Sequence, residues 1–575
     1  MAASGGPPMS APLEVGGTSR RIVMIGTLSA LFLAALDQTV VATAFPRIVG
    51  ELDGLGLLPW VFTAYLLAST SIVPIAGKLG DQFGRKPLFL VAIAVFLGGS
   101  FASGAAQTML QLVIFRGVQG IGGGMLFATA FAVVGDLYAP LERGRIQGLF
   151  AAMFGFSSVI GPSLGGWITE SASWRWVFYV NVPVGIIAFA TVWFGMPWVR
   201  PSGRRAKLDL PGAALLIGTL VPLLLALTWG GDRYAWGSPQ VIGMLAASAL
   251  GLPLFLLAER AAEEPVLPLH LFRNRTFVVT SAVVFLLGAG MFGAITMIPT
   301  FLQGVRGEGA RAAGTWMTPL TLSLSASAVI GGQVMSRSGR YKRLVVASLL
   351  LMVVGMGLLS RVHAEMGLWP LIVDMIIVGV GIGMTMPIFT VIVQNALPFQ
   401  FIGVATSSVQ FFRQVGGTVG VAVFTGVMIH RFRDGVAEVA SNAPLFAERA
   451  DALLNRQGVE QLRTAYEASP SAGAPPFDAV LALTRVELAD AIGLVFLIAA
   501  VVVAVGWVLS WWLPELELQS VSPAEQMQQM QRMGEQQGGG RGRAGCVGSR
   551  RRIDSGRCTK QSAPMARFAA SITRC

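Results

Sequence analysis

The sequence predicts an all-α polytopic membrane protein with fourteen crossing helices, on three observations. Of its 575 residues, 54% are hydrophobic and only 13% charged, whereas soluble proteins carry about 25% charged residues. Mean hydropathy is +0.65. Apolar runs recur along the chain at about 20 residues each, the length that crosses roughly 30 Å of hydrocarbon.

Taken in order, residues 1–19 are rich in Gly, Pro, Ser and Ala and read as a disordered N-terminus, with no cleavage-like site that would make the first apolar run a signal peptide. Six helices are expected near 21–44, 57–79, 87–106, 109–136, 145–168 and 174–196, within a first unit of 20–196. Two more, near 210–229 and 239–258, fall in a connecting segment of 197–273. Six follow near 276–303, 313–335, 343–360, 368–394, 401–428 and 490–513, forming a second unit of 274–513 that includes a long polar loop at 430–489. That loop has a helical pattern around Ala447–Tyr466. Residues 514–575 read as a disordered tail, in which the Gln/Met stretch Gln526–Gln537 has the composition of a short helix.

Charge fixes the side. With the N-terminus inside, the inner segments carry 18 basic residues and the short outer loops 6. The bias follows the parity of the helices and places both termini in the cytoplasm. The net charge of +12 does not imply nucleic acid, because the tail from Ser520 onward alone supplies +7. All three cysteines, Cys546, Cys558 and Cys575, lie in that tail, so the membrane part has neither a disulfide nor a Cys-x-x-Cys metal site.

Gly77-Lys78-Leu79-Gly80-Asp81-Gln82-Phe83-Gly84-Arg85-Lys86-Pro87 joins the second and third helices. Its glycines, including Gly77 and Gly84, permit close approach and a tight turn, and Asp81 can cap a helix or pair with Arg85 or Lys86. A worn copy, Gly332 to Arg340, lies 255 residues on, with Ser336 in the place of Asp81. Two copies of one loop imply two related halves. G-x-L-x-D-x-x-G-R-K resembles the signature loop of the major facilitator superfamily. Two extra helices between two six-helix bundles resemble its 14-helix branch of drug:proton antiporters.

Within the helices, Asp37 lies about 15 residues into the first, well inside the bilayer at about 1.5 Å per residue. A carboxylate there must face a cavity, find a partner or be protonated. It is either a proton- or cation-coupling group or a helix-packing hydrogen bond, and L-D-x-T-V-V-x-x-x-x-P, ending at Pro46, resembles the first-helix signature of the 14-helix branch. Arg116 opens Arg116-Gly117-Val118-Gln119-Gly120-Ile121-Gly122 in the fourth helix. The segment resembles the superfamily motif whose arginine is linked to proton transfer; a structural ion pair is the competing reading, with Asp37 as a candidate partner. Gly161-Pro162-Ser163-Leu164-Gly165-Gly166 in the fifth helix combines a kinking proline with small residues that allow close packing. It resembles the antiporter motif of exporters.

After the fourth helix, Asp136 and Arg143 belong to a loop that is either an interior latch of the outward-facing state or simply solvated. In the second half, Asp374 falls one place before the position matching Arg116, once Gly379-x-Gly381-x-Gly383-Met384 is aligned with Gly120-x-Gly122-x-Gly124-Met125. Arg413 opens Arg413-Gln414-Val415-Gly416-Gly417, which resembles a segment of the 14-helix branch. Asp374 and Arg413 are candidate coupling or substrate residues and a candidate pair, although Asp374 also suits a place near the outer interface. The tenth helix, Thr315–Met335, carries no acid, which weighs against transport of dications.

The resemblance implies a plasma-membrane antiporter that exports hydrophobic, cationic or neutral, drug-like compounds. The proton gradient would be its energy source, with no cofactor or metal. Its partners would be small hydrophobic molecules, protons and the lipid bilayer, with no nucleic acid. A lipid or metabolite exporter of the same fold is the alternative. A membrane enzyme is a remoter one, since the three histidines are scattered at His270, His363 and His430. No phosphate-binding loop of a primary pump is present.

Overall fold

A computed structural model describes residues 17–52, 57–198, 209–231, 233–439, 445–446, 453, 456–468, 475–515 and 518. The first half comprises α1 (Gly17–Leu52), α2 (Leu58–Phe83), α3 (Arg85–Gly104), α4 (Met109–Leu137), α5 (Pro140–Ser171) and α6 (Trp176–Gly195). Then come α7 (Leu210–Trp229) and α8 (Pro239–Ala261). The second half comprises α9 (Arg275–Thr300, continued by a π-turn at Phe301–Val305), α10 (Thr318–Ser338), α11 (Lys342–Leu359), α12 (Leu368–Ala396), α13 (Ile402–Val439) and α14 (Phe477–Ser510).

Thirteen helices among the described residues are long and apolar enough to cross a membrane. The fourteenth crossing is α10, where seven of 21 residues are Ser or Thr. Its polarity has a packing reason: Ser327 Oγ donates to Gly379 O of α12 at 3.3 Å. A methyl group added at Gly379 would sit 2.0 Å from Ser323 Oγ. Small polar residues let these helix backbones approach closely, so low hydropathy does not keep α10 from packing on α12.

The two halves repeat one packing scheme. In the first, α1 packs on α5 and α6, α2 on α4, and α3 on α4 and α6; in the second, α9 packs on α13 and α14, α10 on α12, and α11 on α12 and α14. The aligned glycines explain the correspondence. Methyl groups added at Gly120 and Gly124 would collide with the α2 carbonyls of Tyr65 and Ser69, each at 2.4 Å. Gly379 and Gly383 stand in the same relation to Leu320 O and Leu324 O of α10, at 2.6 and 2.0 Å. Between them, Gly122 seats on Phe96 of α3 and Gly381 on Met352 of α11. The halves meet along two seams, α5 with α10 and α2 with α13. Helices α7 and α8 pack on each other, and α7 also lies against α2 and α13.

Several helix ends differ from the sequence expectation. Helix α1 runs to Leu52, α13 to Val439, and α14 starts at Phe477, thirteen residues before the expected 490. These extensions carry charges (Arg431, Arg433, Asp434, Asp478, Arg485, Glu487), so they lack the apolar signature although they remain helical. The 430–489 segment is therefore largely helix where it is described. It contains Arg456–Ala468, tied to the start of α14 by Arg463 to Asp478 at 2.6 Å and by Tyr466 Oη to Pro475 O at 2.7 Å. Residues 1–16, the Gln526–Gln537 stretch and the rest of the tail beyond 518 lie outside the described residues.

Candidate functional site

Asp37 and Arg116 are both fully buried and meet directly, with Arg116 Nη1 2.5 Å from Asp37 Oδ2. The other carboxylate oxygen accepts from Gln119 Nε2 and from Asn181 Nδ2, each at 2.9 Å. Asn181 also donates to Ser100 Oγ at 3.0 Å, and Arg116 reaches Gln119 Oε1 at 2.9 Å and Val61 O at 3.3 Å. The Tyr65 ring covers the guanidinium at 4.4 Å. Arg116 Nη2 has no hydrogen-bond partner among the described residues. Five helices, α1, α2, α3, α4 and α6, thus converge on one ion pair. Excellent geometry with further hydrogen bonds is what a buried pair needs to offset its desolvation. Gln119 stood in the quoted motif without an assigned role. Asn181 was missed, and its one sequence signal is a lone amide in the apolar sixth helix.

Beside this network is a cavity of about 1050 Å³ between the halves. Its wall includes Gln38 and Thr39, the residues next to Asp37, whereas Asp37 itself points away from it into the first half. At the end away from the Gly77–Lys86 loop, the cavity reaches His430 and Arg433 of α13 and Trp236 beyond α7. Leu224, Leu227 and Thr228 of α7 complete the wall between α2 and α13. Trp229 packs edge-on against Trp60, with ring centroids 4.9 Å apart. Helix α7 and the turn that follows it therefore close a gap that α2 and α13 leave at that end.

The opposite, basic end is shut on both seams, by different means. On the α2–α13 seam, Asp81 accepts from the backbone N–H of Gly403 and of Val404, each at 3.0 Å. A carboxylate on one half thus caps the N-terminus of a helix in the other, where the free N–H groups and helix dipole favour it. Arg85 holds Asp81 in place by an ion pair and binds Asp136 Oδ2 through Nε at 2.8 Å. Gly84, at φ 93°, makes the turn that brings Arg85 back onto α2. Gly77 faces Gly403 O and Ser407.

Among the described residues, the α5–α10 seam has no such latch. A methyl group added at Gly332 would lie 2.1 Å from Gly144 O. Ser336, the counterpart of Asp81, caps nothing, and its Oγ lacks a partner among the described residues. Backbone contact closes this seam, so Gly332→Val should force α5 and α10 apart at a cost of about 1–3 kcal/mol, typical of overpacking. A lower melting temperature and weaker transport are the expected readouts; an unchanged melting temperature would show that the seam can give.

Three expected site residues sit elsewhere. Lys86 is not part of the latch: Nζ donates to Trp193 O at the end of α6 at 2.6 Å and lies over the Trp198 ring. Arg143 binds the last carbonyls of α4, Gly135 O at 2.7 Å and Tyr138 O at 2.9 Å, as a cation at a helix C-terminus does. Gly166 faces open space, with nothing within 4 Å of an added methyl. Its neighbours do pack: Gly161 lies against Thr39 and Gly165 against Val40 O and Thr43, and Thr39 Oγ1 donates to Ser157 O at 3.1 Å. Pro162 removes a helical N–H in this stretch, so the kinked part of α5 rests on α1 directly beyond Asp37.

The Asp374–Arg413 pair does not form. Asp374 is six residues into α12, away from the basic end, and is not among the residues that line the cavity. Arg413 lies eleven residues into α13 from the basic end, lines the cavity and donates to Gln410 of its own helix. The two helices run in opposite directions, so six residues from the start of one and eleven from the start of the other put the residues at different depths.

The sequence matches the family model described as Major Facilitator Superfamily over residues 27–421. It is 38% identical over 524 residues to the multidrug transporter protein MdtP of Bacillus subtilis (strain 168), covering 89% of this chain and 96% of that protein. Multidrug resistance protein 3 of Bacillus subtilis (strain 168) is 38% identical over 431 residues, covering 74% of this chain and 83% of that protein. Among solved structures, the proton:xylose symporter XylE bound to 6-bromo-6-deoxy-D-glucose superposes with a TM-score of 0.56 at 13% identity, covering 89% of this chain and 99% of that chain. That likeness concerns the fold alone. With the repeated halves, the two seams and the central cavity, these matches show that the chain belongs to the major facilitator superfamily.

Proposed function

We propose that this protein is a proton-driven antiporter of the plasma membrane that exports lipophilic, drug-like compounds from the cytoplasm. The observation that carries this reading is the fully buried Asp37–Arg116 network behind the wall of a cavity whose basic end is shut. The excess of basic residues at the shut end supports a cytoplasmic position for it, with the cavity then facing outward. The relatives named as multidrug transporters support the substrate class. No cofactor enters the scheme.

The cycle follows from the charges. In the outward-facing form a proton reaching Asp37 neutralises the carboxylate and weakens its hold on Arg116. The network linking α1, α4 and α6 then relaxes, and the Asp81 cap on α13 releases as the protein turns inward. Proton loss to the cytoplasm restores the ion pair, and the return step carries substrate out.

The test uses inverted membrane vesicles with an imposed proton gradient and a clamped membrane potential. Three fluorescent lipophiles serve as probes: ethidium as cation, phenyl-naphthylamine as neutral compound and anilinonaphthalene sulfonate as anion. Uncoupler-sensitive accumulation of at least one is the expected result. No accumulation of any, with the protein shown to be folded, would overturn the reading.

A further inference from the structure

The cavity lining contains arginine and no carboxylate. Among the described residues that form it, the ionisable ones are Arg413, Arg433 and His430; no Asp or Glu is present. Arg413 sits at membrane depth and has no carboxylate partner among the described residues, only the amide oxygen of Gln410. An arginine stays charged in any protein setting, and a cation in this position needs an acceptor. The acid that could serve, Asp37, is already engaged by Arg116, Gln119 and Asn181 on the other side of the wall.

The remainder of the lining combines apolar and amide groups. Phe127, Phe154 and Phe292 are partly exposed aromatic side chains of the lining, and Gln147 and Gln414 add hydrogen-bonding capacity. A body that matches this surface has an aromatic or aliphatic bulk and one anionic group. The anion would sit against Arg413, and the bulk against the phenylalanines. A lipophilic cation would meet like charge at the same place. Arg433 and His430 also line the cavity, at the end away from the Gly77–Lys86 loop.

Resting on the export reading above, we infer that Arg413 is a substrate-binding residue and that the preferred substrates are amphipathic organic anions, such as aromatic carboxylates and sulfonates. This departs from the cationic half of the class expected from sequence. Coupling and substrate recognition are then separated: Asp37 in the first half handles the proton, and Arg413 in the second handles the substrate charge.

The test compares binding and transport of anilinonaphthalene sulfonate with that of phenyl-naphthylamine, the same ring system without the sulfonate. Ethidium is the cationic control, and the full chain is reconstituted in proteoliposomes. Wild-type protein should bind the sulfonate about tenfold or more tightly than the neutral compound, as a charge-assisted contact predicts. Arg413→Gln should remove that preference by lowering sulfonate binding about tenfold more than neutral-probe binding, whereas Arg413→Lys should keep part of it.

A second variant guards against misfolding. Gln410→Glu is nearly isosteric and gives Arg413 an internal counter-ion, so it should weaken sulfonate binding and strengthen ethidium binding. Sulfonate preference unchanged in both Arg413→Gln and Gln410→Glu, or wild-type preference for ethidium, would overturn the inference. If ethidium or the neutral probe is exported and the sulfonate is not, the export reading stands and this inference falls. If none of the three is exported, the export reading itself fails.

Discussion

Replacing Asp37 with asparagine is expected to abolish uphill transport while leaving downhill exchange of substrate. The amide is close to isosteric, so Gln119 and Asn181 keep an acceptor in place, but the group can no longer take up and release a proton. Arg116 then has no counter-ion. Removing one partner of a buried pair costs about 3–5 kcal/mol when nothing else serves the remaining charge. Here Val61 O, Gln119 Oε1 and the Tyr65 ring still serve it, so the variant should insert and fold with reduced stability. The pattern that identifies a coupling role is a lost gradient response with preserved exchange. Loss of both would fit a purely structural role for the pair.

The second large effect is expected at the latch. Asp81→Ala removes two hydrogen bonds between the halves, from Gly403 N–H and Val404 N–H. Hydrogen bonds to a charged group contribute about 1.5–3 kcal/mol each, and about 1.4 kcal/mol is a tenfold change in an equilibrium. The outward-facing form should therefore lose more than about tenfold in population relative to the inward-facing one. The only native cysteines, Cys546, Cys558 and Cys575, lie in the tail, so with those three changed to serine a single reporter is practical. Thr425→Cys places a thiol in the cavity wall, and its labelling rate from outside should fall steeply in the Asp81→Ala background. Asp81→Glu, which keeps the charge, should recover part of it. An unchanged labelling rate would mean that the glycine-packed α5–α10 seam holds the closed end by itself.

These expectations rest on features that differ in how far the sequence revealed them. The halves were legible because glycine spacing records helix contact: the aligned glycines of α4 and α12 fall on equivalent neighbours in each half. Asp37 and Arg116 were legible because a charge within an apolar run is costly and stands out. Their meeting was not, since sequence gives depth along a helix but not which face it presents. The same gap explains the role of Lys86, which turns to α6 instead of the latch; the Asp374–Arg413 pair fails because α12 and α13 run in opposite directions and hold the two residues at different depths. Neutral amides carry little signal, so Asn181, Gln410 and Gln414 went unassigned. Helix ends outside the bilayer were misplaced for the opposite reason, because charged residues there are helical without being apolar.

The most direct test of the account is substrate-induced proton movement in inverted vesicles carrying wild-type protein or Asp37→Asn, with the membrane potential clamped and an internal pH dye. Addition of phenyl-naphthylamine or anilinonaphthalene sulfonate should discharge the pH gradient with the wild type and leave it intact with Asp37→Asn, at equal protein in the membrane. Equal discharge by the two proteins would contradict the claim that Asp37 carries the proton.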